Sequence, residues 1–582
     1  MAVTRGAQVV AGAGGPDEVG AAEREHLDGR LAALADRAPA WARVGAAARA
    51  TLLARVVRDT AAVAEEWNAA ACVAKGYEVD SPEGGEELFS GVGTLVTLAQ
   101  ALRRSMVDLA TGGRPRYPGP VRHRSGDRVS IGVMPATTFD RVLYAGISAE
   151  VWMEPGVDEA IVRATQAALY RHPFEDVGVA LVLGAGNVAS LGPRDALHKL
   201  FVEGKVVLLK ANPVNDYLVP YWERALSALV EGGFLTIVRG GAGVGSYLTA
   251  HARVDEIHVT GSDKTHDAIV FGPGEAGAAR KSRDEPLIDK PVSCELGNVS
   301  PVVVVPGEWS RREIEYQARH VATMLVNNAG FNCLTPRVIV TYARWRQRAE
   351  FLAALEEVLA AIPTRRAYYP GAAERRAMFL AAHPDAREIG AGGEGRMAWT
   401  IVRDVDPTIV DDVCLNVEAF CALTSETALD AADPADFVDR AVTFCNEVVW
   451  GSLSMTLLAD PRTMADPRTG PAIERAVADL RYGSIGVNVW HALSFVAATT
   501  VWGAYPGHDR ADIQSGRGVV GNAFLFARPQ KSVVRGPFVS RPDPAWFATN
   551  QRAASVMRAL VAFQASPSWW RLPALLATAL RP

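Results

Sequence analysis

The sequence predicts an α/β protein of at least two domains, built around a parallel sheet. Three observations carry that expectation. The 582 residues are too many for one ordinary hydrophobic core. From about residue 175, short and nearly continuous β-rich runs (VGVALVLGAG, KVVLLKANP, FLTIVRGGAG, DEIHVTGS, PVVVVP) alternate with helical stretches such as PRDALHKLFVEG. Strands buried on both faces and joined through helices make a parallel sheet. After residue 301 the same alternation resumes, with helix RREIEYQARHVATMLVNN and strand RVIVTY, which predicts a second α/β domain.

The remaining elements follow in order. Residues 22 to 111 read as helical, because Ala, Leu, Arg and Glu dominate and apolar residues recur at three- and four-residue spacing. The Gly/Pro/Arg-rich segment 111–127 reads as a loop, and RVSIGVMP and RVLYAGISAEVWMEP as strands bounded by prolines. Near the end, FLFARPQKSVVRGPFVS reads as an edge strand and PAWFATNQRAASVMRALVAFQ as an amphipathic helix. That helix is able to lie on a membrane surface, to cover a partner subunit or to cover the protein's own surface.

Composition excludes several classes. A hydrophobic content of 49%, 21% charged residues and a net charge of -5 fit a folded chain and give no basic footprint, so no nucleic-acid partner is expected. The six cysteines (72, 294, 333, 414, 421, 445) form no C-x-x-C pair, and the eleven histidines no H-E-x-x-H motif; neither a disulfide framework nor a metal site is expected. The first thirty residues lack a secretory pattern, and no apolar run approaches the roughly 18 residues of a membrane span. A cytoplasmic protein is therefore expected.

Ligands of open parallel sheets bind beyond the carboxyl ends of the strands. Four runs end in small or polar residues: Gly184-Ala185-Gly186-Asn187, Lys210-Ala211-Asn212-Pro213, Gly240 to Gly245, and Thr260-Gly261-Ser262. Small residues let the backbone approach a phosphate, and a following helix offers free N–H groups. Together they predict a nucleotide crevice. Cys333, in NNAGFNCLTPRVIV, is by itself a buried thiol like most free cysteines. It reads as a nucleophile only with suitable neighbours.

Six motifs in order supply them, and over roughly 22 to 540 the chain resembles the aldehyde dehydrogenase superfamily. The general-base motif stands as Glu295-Leu296-Gly297-Asn298, and the nucleophile motif as Gly330-Phe331-Asn332-Cys333. The adenosine-side strand GKVVLLK ends in Lys210, the TGS turn is Thr260-Gly261-Ser262, and the E-x-F pair is Glu418-Ala419-Phe420. The segment VNVWHALSFVAATTVWGAYPGHDRADIQSGRGVVGN is similar to the family's closing block. The asparagine-bearing loop departs from the usual phrase and reads GAGNV, with Asn187 standing 23 positions before Lys210. Phe331 occupies a position where glutamine is usual. GAGNV is also reminiscent of the neighbouring long-chain acyl-CoA reductases.

The resemblance implies a Rossmann-like dinucleotide-binding domain (1–111 and 175–297), a catalytic domain (298–522) and a small oligomerisation β element (112–174 and 523–540), with a helical tail (541–582). It implies NAD or NADP, held by Lys210, Gly241, Gly245, Thr260, Gly261, Ser262, Leu296, Gly297, Glu418 and Phe420. NADP is compatible because Pro213 stands where NAD-preferring relatives often carry a glutamate. The implied chemistry is oxidation of an aldehyde, fatty or aromatic, to an acid. Cys333 forms a thiohemiacetal and then a thioester, Glu295 is general base, and Asn187 supplies the oxyanion hole. Alternatives are an acylating enzyme or acyl-CoA reductase, with coenzyme A as partner, and a non-catalytic nucleotide-binding scaffold. A homodimer or homotetramer is expected.

Overall fold

Four of the β-rich runs become strands Val179–Leu183, Val206–Lys210, Leu235–Val238 and Glu256–Thr260, all parallel. In the computed structural model, which describes residues 19–171 and 177–580, they belong to a six-stranded sheet. The first 18 residues and the junction 172–176 lie outside the described residues. The spatial order runs Gly516–Arg517, Val292–Glu295, Glu256–Thr260, Val179–Leu183, Val206–Lys210, Leu235–Val238. Two points correct the sequence reading. Val292–Glu295 was not anticipated as a strand, yet it pairs parallel with Glu256–Thr260 and sets Glu295 opposite Thr260. The PVVVV run, Ser300–Val304, joins the other sheet instead.

The expected helical region forms helices such as Ala21–Ala35, Ala46–Ala62, Ala64–Lys75 and Thr94–Gly112, which share one hydrophobic core with this sheet. Trp41, Trp67 and Trp222 are almost completely buried there. Burying each such side chain contributes on the order of 3 kcal/mol. Arg49 is buried with them; its guanidinium stacks 3.8 Å from the Trp41 ring and donates to the carbonyls of Leu200 and Trp41.

The second sheet has eleven strands. Its parallel centre contains Ser484–Val487, Ser454–Leu458, Ser300–Val304, Pro336–Tyr342 and Leu423–Leu429. At one side Pro529–Arg535 pairs parallel with Ser484–Val487 and antiparallel with Ser148–Met153. It is an interior strand, correcting the edge-strand expectation. The segments expected to serve oligomerisation, Val121–Arg124, Arg128–Met134 and Ser148–Met153, thus extend this chain's own sheet. Lys531 pins the junction: its buried ammonium donates to the carbonyls of Val477, Ala478 and Leu480, the end of helix Thr469–Asp479.

Segment 141–155 is only partly a strand. A capping box between Thr137 and Asp140 starts helix Thr138–Leu143, and the strand begins at Ser148. The tail forms helices Ala553–Ala565 and Leu572–Leu580. The first buries Ala553, Ala554, Val556, Met557, Val561 and Phe563, and Gly85 lets its backbone approach that of Ala554. Its apolar face therefore covers the protein's own N-terminal layer, while Trp569 and Trp570 stay exposed. Among the described residues, no helix is long and apolar enough to cross a membrane.

Candidate active site

The parallel strands of the smaller sheet bring their carboxyl ends to one edge, so Glu295, Thr260, Gly184, Lys210 and Gly240 follow one another along it. The Gly261 N–H donates to the Glu295 carbonyl at 3.0 Å, tying the TGS turn to the base-bearing strand. Ser262 uses its hydroxyl to cap helix Asp263–Val270. Thr260 Oγ1 donates to Asp195 at 2.9 Å. Lys210 is 8% exposed, and burial pushes its ammonium down to about 8 against the opposing charge of Asp216. A Cβ on Gly245 would lie 3.8 Å from Lys210 Cε, whereas Gly241, which precedes helix Ala242–Ala250, faces open space.

The nucleophile comes from the larger sheet. Helix Arg311–Val326 ends in a turn in which Asn328, Ala329 and Gly330 all have positive φ (50°, 55° and 79°). Only glycine fits at 330, because a Cβ there would stand 2.4 Å from the Cys421 carbonyl oxygen. Arg337, 2% exposed, donates to the carbonyls of Gly330 and Cys421 and so clamps this turn to the Glu418 loop. Cys333 follows. It is half-buried while the other five cysteines are buried.

Cys333 Sγ donates to Glu295 Oε1 at 3.1 Å. Burial and then the Glu295 charge hold the thiol well above its ordinary range, and burial likewise raises Glu295. The thiol thus faces a carboxyl group placed to take its proton. The Trp502 indole N–H faces the Glu295 carboxyl and, with Cys333 and Arg194, opposes the upward push of burial.

Asn187 donates its side-chain amide to the Phe331 carbonyl at 2.9 Å, which fixes it over the nucleophile turn. Its second amide hydrogen has no acceptor among the described residues, and the Cys333 N–H meets no backbone carbonyl. Leu296 donates its N–H to the Ser515 carbonyl. Gly297 is where Glu418 crosses: a Cβ there would stand 2.3 Å from Glu418 Oε2. Burial raises Glu418 to about 7 despite Arg337, and its Oε1 has no partner. Phe420, with φ 41°, packs its ring on Tyr369 and Phe331. Cys333 also borders an apolar cluster of Ala185, Leu191, Leu453, Phe495, Trp502 and Val520.

The structure therefore sets Cys333 against Glu295 and ties Asn187 to the turn just before the cysteine, while Lys210, Thr260 and the glycine-rich turns lie along the adjoining sheet edge and Glu418 and Phe420 approach from a loop of the larger sheet. Sequence reasoning missed Lys75, Asn328, Arg337 and Asp195. Lys75 and Arg337 carry no local signal; Asp195, which burial and the Glu295 charge raise to about 8, sits in an ordinary-looking helix. Away from any expected metal motif, the donor atoms of His383, Asp412 and Cys414 lie within 4.8 Å of one another, with Asp412 Oδ1 accepting from the Cys414 N–H.

Comparison with known proteins adds the following. The family model "Aldehyde dehydrogenase family" matches residues 149–372, the stretch holding Asn187, Lys210, Glu295 and Cys333. Coniferyl aldehyde dehydrogenase of Pseudomonas sp. (strain HR199 / DSM 7063) is 26% identical over 310 residues, covering 50% of this chain. The chain spans 59% of that relative's length. A glyceraldehyde-3-phosphate dehydrogenase from Methanocaldococcus jannaschii complexed with NADP is similar with a TM-score of 0.58 at 13% identity, over 88% of this chain and 94% of the other. A variant of aldehyde dehydrogenase C from Pseudomonas syringae, complexed with NAD+ and octanal, gives a TM-score of 0.58 at 15% identity, over 89% and 90%. At these identities the solved structures speak for the fold alone.

Proposed function

We propose that the chain, whose residues 149–372 match the aldehyde dehydrogenase family, oxidises an apolar aldehyde to the carboxylic acid with NAD or NADP, through Cys333, Glu295 and Asn187. The observation that carries this reading is the 3.1 Å contact between Cys333 Sγ and Glu295 Oε1 at the carboxyl edge of a dinucleotide-type sheet.

Glu295 takes the thiol proton, and the thiolate attacks the aldehyde carbon to give a thiohemiacetal. Asn187 Nδ2 and the Cys333 N–H stabilise its oxyanion; one such donor is worth about 3 kcal/mol. The residues present fit a dinucleotide: Gly241 leaves the helix start open, Lys210 reaches the same crevice, and Glu418 keeps an unpartnered oxygen beside Gly297. When bound, the nicotinamide supplies the acceptor for the hydride that the thiohemiacetal carbon gives up. Glu295, having passed the thiol proton on to solvent, then deprotonates water, which attacks the thioester carbonyl; that second proton goes to the departing sulfur, releasing the acid and the Cys333 thiol. The Phe495 and Trp502 wall favours aromatic or alkyl aldehydes. Relatives named for coniferyl aldehyde and seen with octanal are consistent with that choice.

The test incubates the protein with NAD+ or NADP+ and medium-to-long or aromatic aldehydes, with and without coenzyme A. Reduced nicotinamide formed without coenzyme A is expected. Strict dependence on coenzyme A would transfer the reading to an acylating enzyme. Cys333→Ala is expected to abolish turnover and keep dinucleotide affinity; undiminished turnover removes the nucleophile assignment.

A further inference from the structure

The turn before the nucleophile is strained. Asn328 and Ala329 are not glycines, yet both occupy the left-handed region immediately ahead of Gly330. Such backbone persists only where its surroundings over-determine it. What determines it here comes from the N-terminal helices, a part of the chain that carries no recognised catalytic motif.

The Asn328 N–H donates to Glu86 Oε1 at 2.5 Å, and Glu86 is itself gripped by Arg365 at 3.0 Å. The Asn328 side-chain amide donates to the carbonyls of Asn187 (2.9 Å) and Phe331 (3.1 Å). Its oxygen accepts from Lys75 Nζ at 3.0 Å and from the Tyr368 hydroxyl at 2.9 Å. Lys75, 3% exposed, spends its other two hydrogens on Glu87 Oε2 (2.6 Å) and the Asn187 carbonyl (3.0 Å). One ammonium thus makes a three-legged joint between helix Ala64–Lys75, the helix Pro82–Leu88 that follows it, the oxyanion-side residue and the nucleophile turn. Burial is the largest single influence and opposes its charge, but Glu87, Tyr77 and Tyr217 together outweigh it and raise Lys75 above the ordinary lysine value. Tyr77, Tyr217 and the Tyr368 ring (5.2 Å) complete its surroundings.

We propose that Lys75, acting through Asn328, is a positioning residue of the reaction: it locks the carbonyl of Asn187 and the turn carrying Cys333 into one rigid unit, so that thiol and oxyanion donor keep their separation. This rests on the reading of Cys333 as nucleophile. Lys75 touches neither substrate nor reacting atoms. Its effect is on register, and a misplacement near 1 Å in such a site costs about 100-fold in rate.

The experiment compares wild type with the double variant Lys75→Met/Glu87→Met. Replacing both members of a buried pair by apolar groups is often nearly neutral for folding, whereas removing one strands a charge. Initial rates over aldehyde concentration, dinucleotide affinity by fluorescence titration and the melting temperature are read together. The expected result is a kcat lower by about 10- to 100-fold, with dinucleotide Kd, aldehyde KM and melting temperature close to wild type. A kcat within about twofold of wild type, with melting temperature held, overturns the inference. Should the double variant not fold, Asn328→Ala leaves the Lys75–Glu87 pair intact and must show the same split; an unchanged kcat there overturns it equally. A wild type inactive on every aldehyde would sink the functional reading and this inference together, whereas active wild type with equally active variants sinks this inference alone.

Discussion

Glu295→Gln is the sharpest perturbation of the site, because it conserves volume and removes one charge with opposite consequences for two measurements. Glu295 is 3% exposed and sits 3.1 Å from Cys333 Sγ, inside the 2.6–3.2 Å reach of a general base. A positioned base is worth about 10²- to 10⁴-fold, roughly 3–5 kcal/mol of barrier. Steady-state turnover is therefore expected to fall about 100- to 10,000-fold through stalled thioester hydrolysis. The thiol should respond the other way. Burial comes first in holding it protonated, and the Glu295 charge second. Without that charge the thiolate forms more easily, so the pH midpoint of alkylation by iodoacetamide moves down. Stopped-flow measurement of reduced nicotinamide, made above the variant's lowered thiol midpoint so that Cys333 ionises without Glu295, should show a burst near one equivalent per site, followed by almost no turnover. Burial raises Glu295 itself, so wild-type turnover climbs with pH as that carboxyl ionises, and the variant lacks this limb. A steady-state rate within about tenfold of wild type, or an alkylation midpoint that stays put or rises, would refute the reasoning.

Asn187→Ala removes one oxyanion donor and the tie to the Phe331 carbonyl. Its kcat should drop about 100-fold with dinucleotide Kd unchanged, and a loss under about threefold would exclude Asn187 from the oxyanion hole. Lys210, lowered to about 8 by burial, loses its charge as pH rises through that value. Dinucleotide affinity measured by titration should decline over the same interval in wild type and stay flat in Lys210→Met; parallel profiles would show that the ammonium does not hold the cofactor.

Residues with strong local pattern were legible in the sequence. The runs VALVL and VVLLK are apolar on both faces and LTIV and EIHVT are short β-branched runs ending in small or polar residues, so their strand character and their shared edge could be read directly. Cys333 and Glu295 stood in recognisable spacing. Val292–Glu295 was not readable as a strand, because the alternation in its four residues VSCE is too short to stand out and the strand gains its state from the pairing with Glu256–Thr260. Lys75 looks like any lysine ending an Ala-rich helix. Its partners Asn187 and Asn328 lie 112 and 253 positions away, and only the fold brings them to it. The interior place of Pro529–Arg535 was hidden for the same reason: nothing in its own residues says that two separate strands flank it.

That strand also sets a schedule for biosynthesis. Ser148–Met153 leaves the ribosome long before its neighbour Pro529–Arg535 is made. At about 5–20 residues per second the delay is roughly 20 to 75 s, during which one side of Ser148–Met153 offers unpaired amides and carbonyls to any passing nascent chain. Prematurely terminated chains that stop short of residue 529 would keep that open rim for good, and truncated products of this gene should be recovered as aggregates.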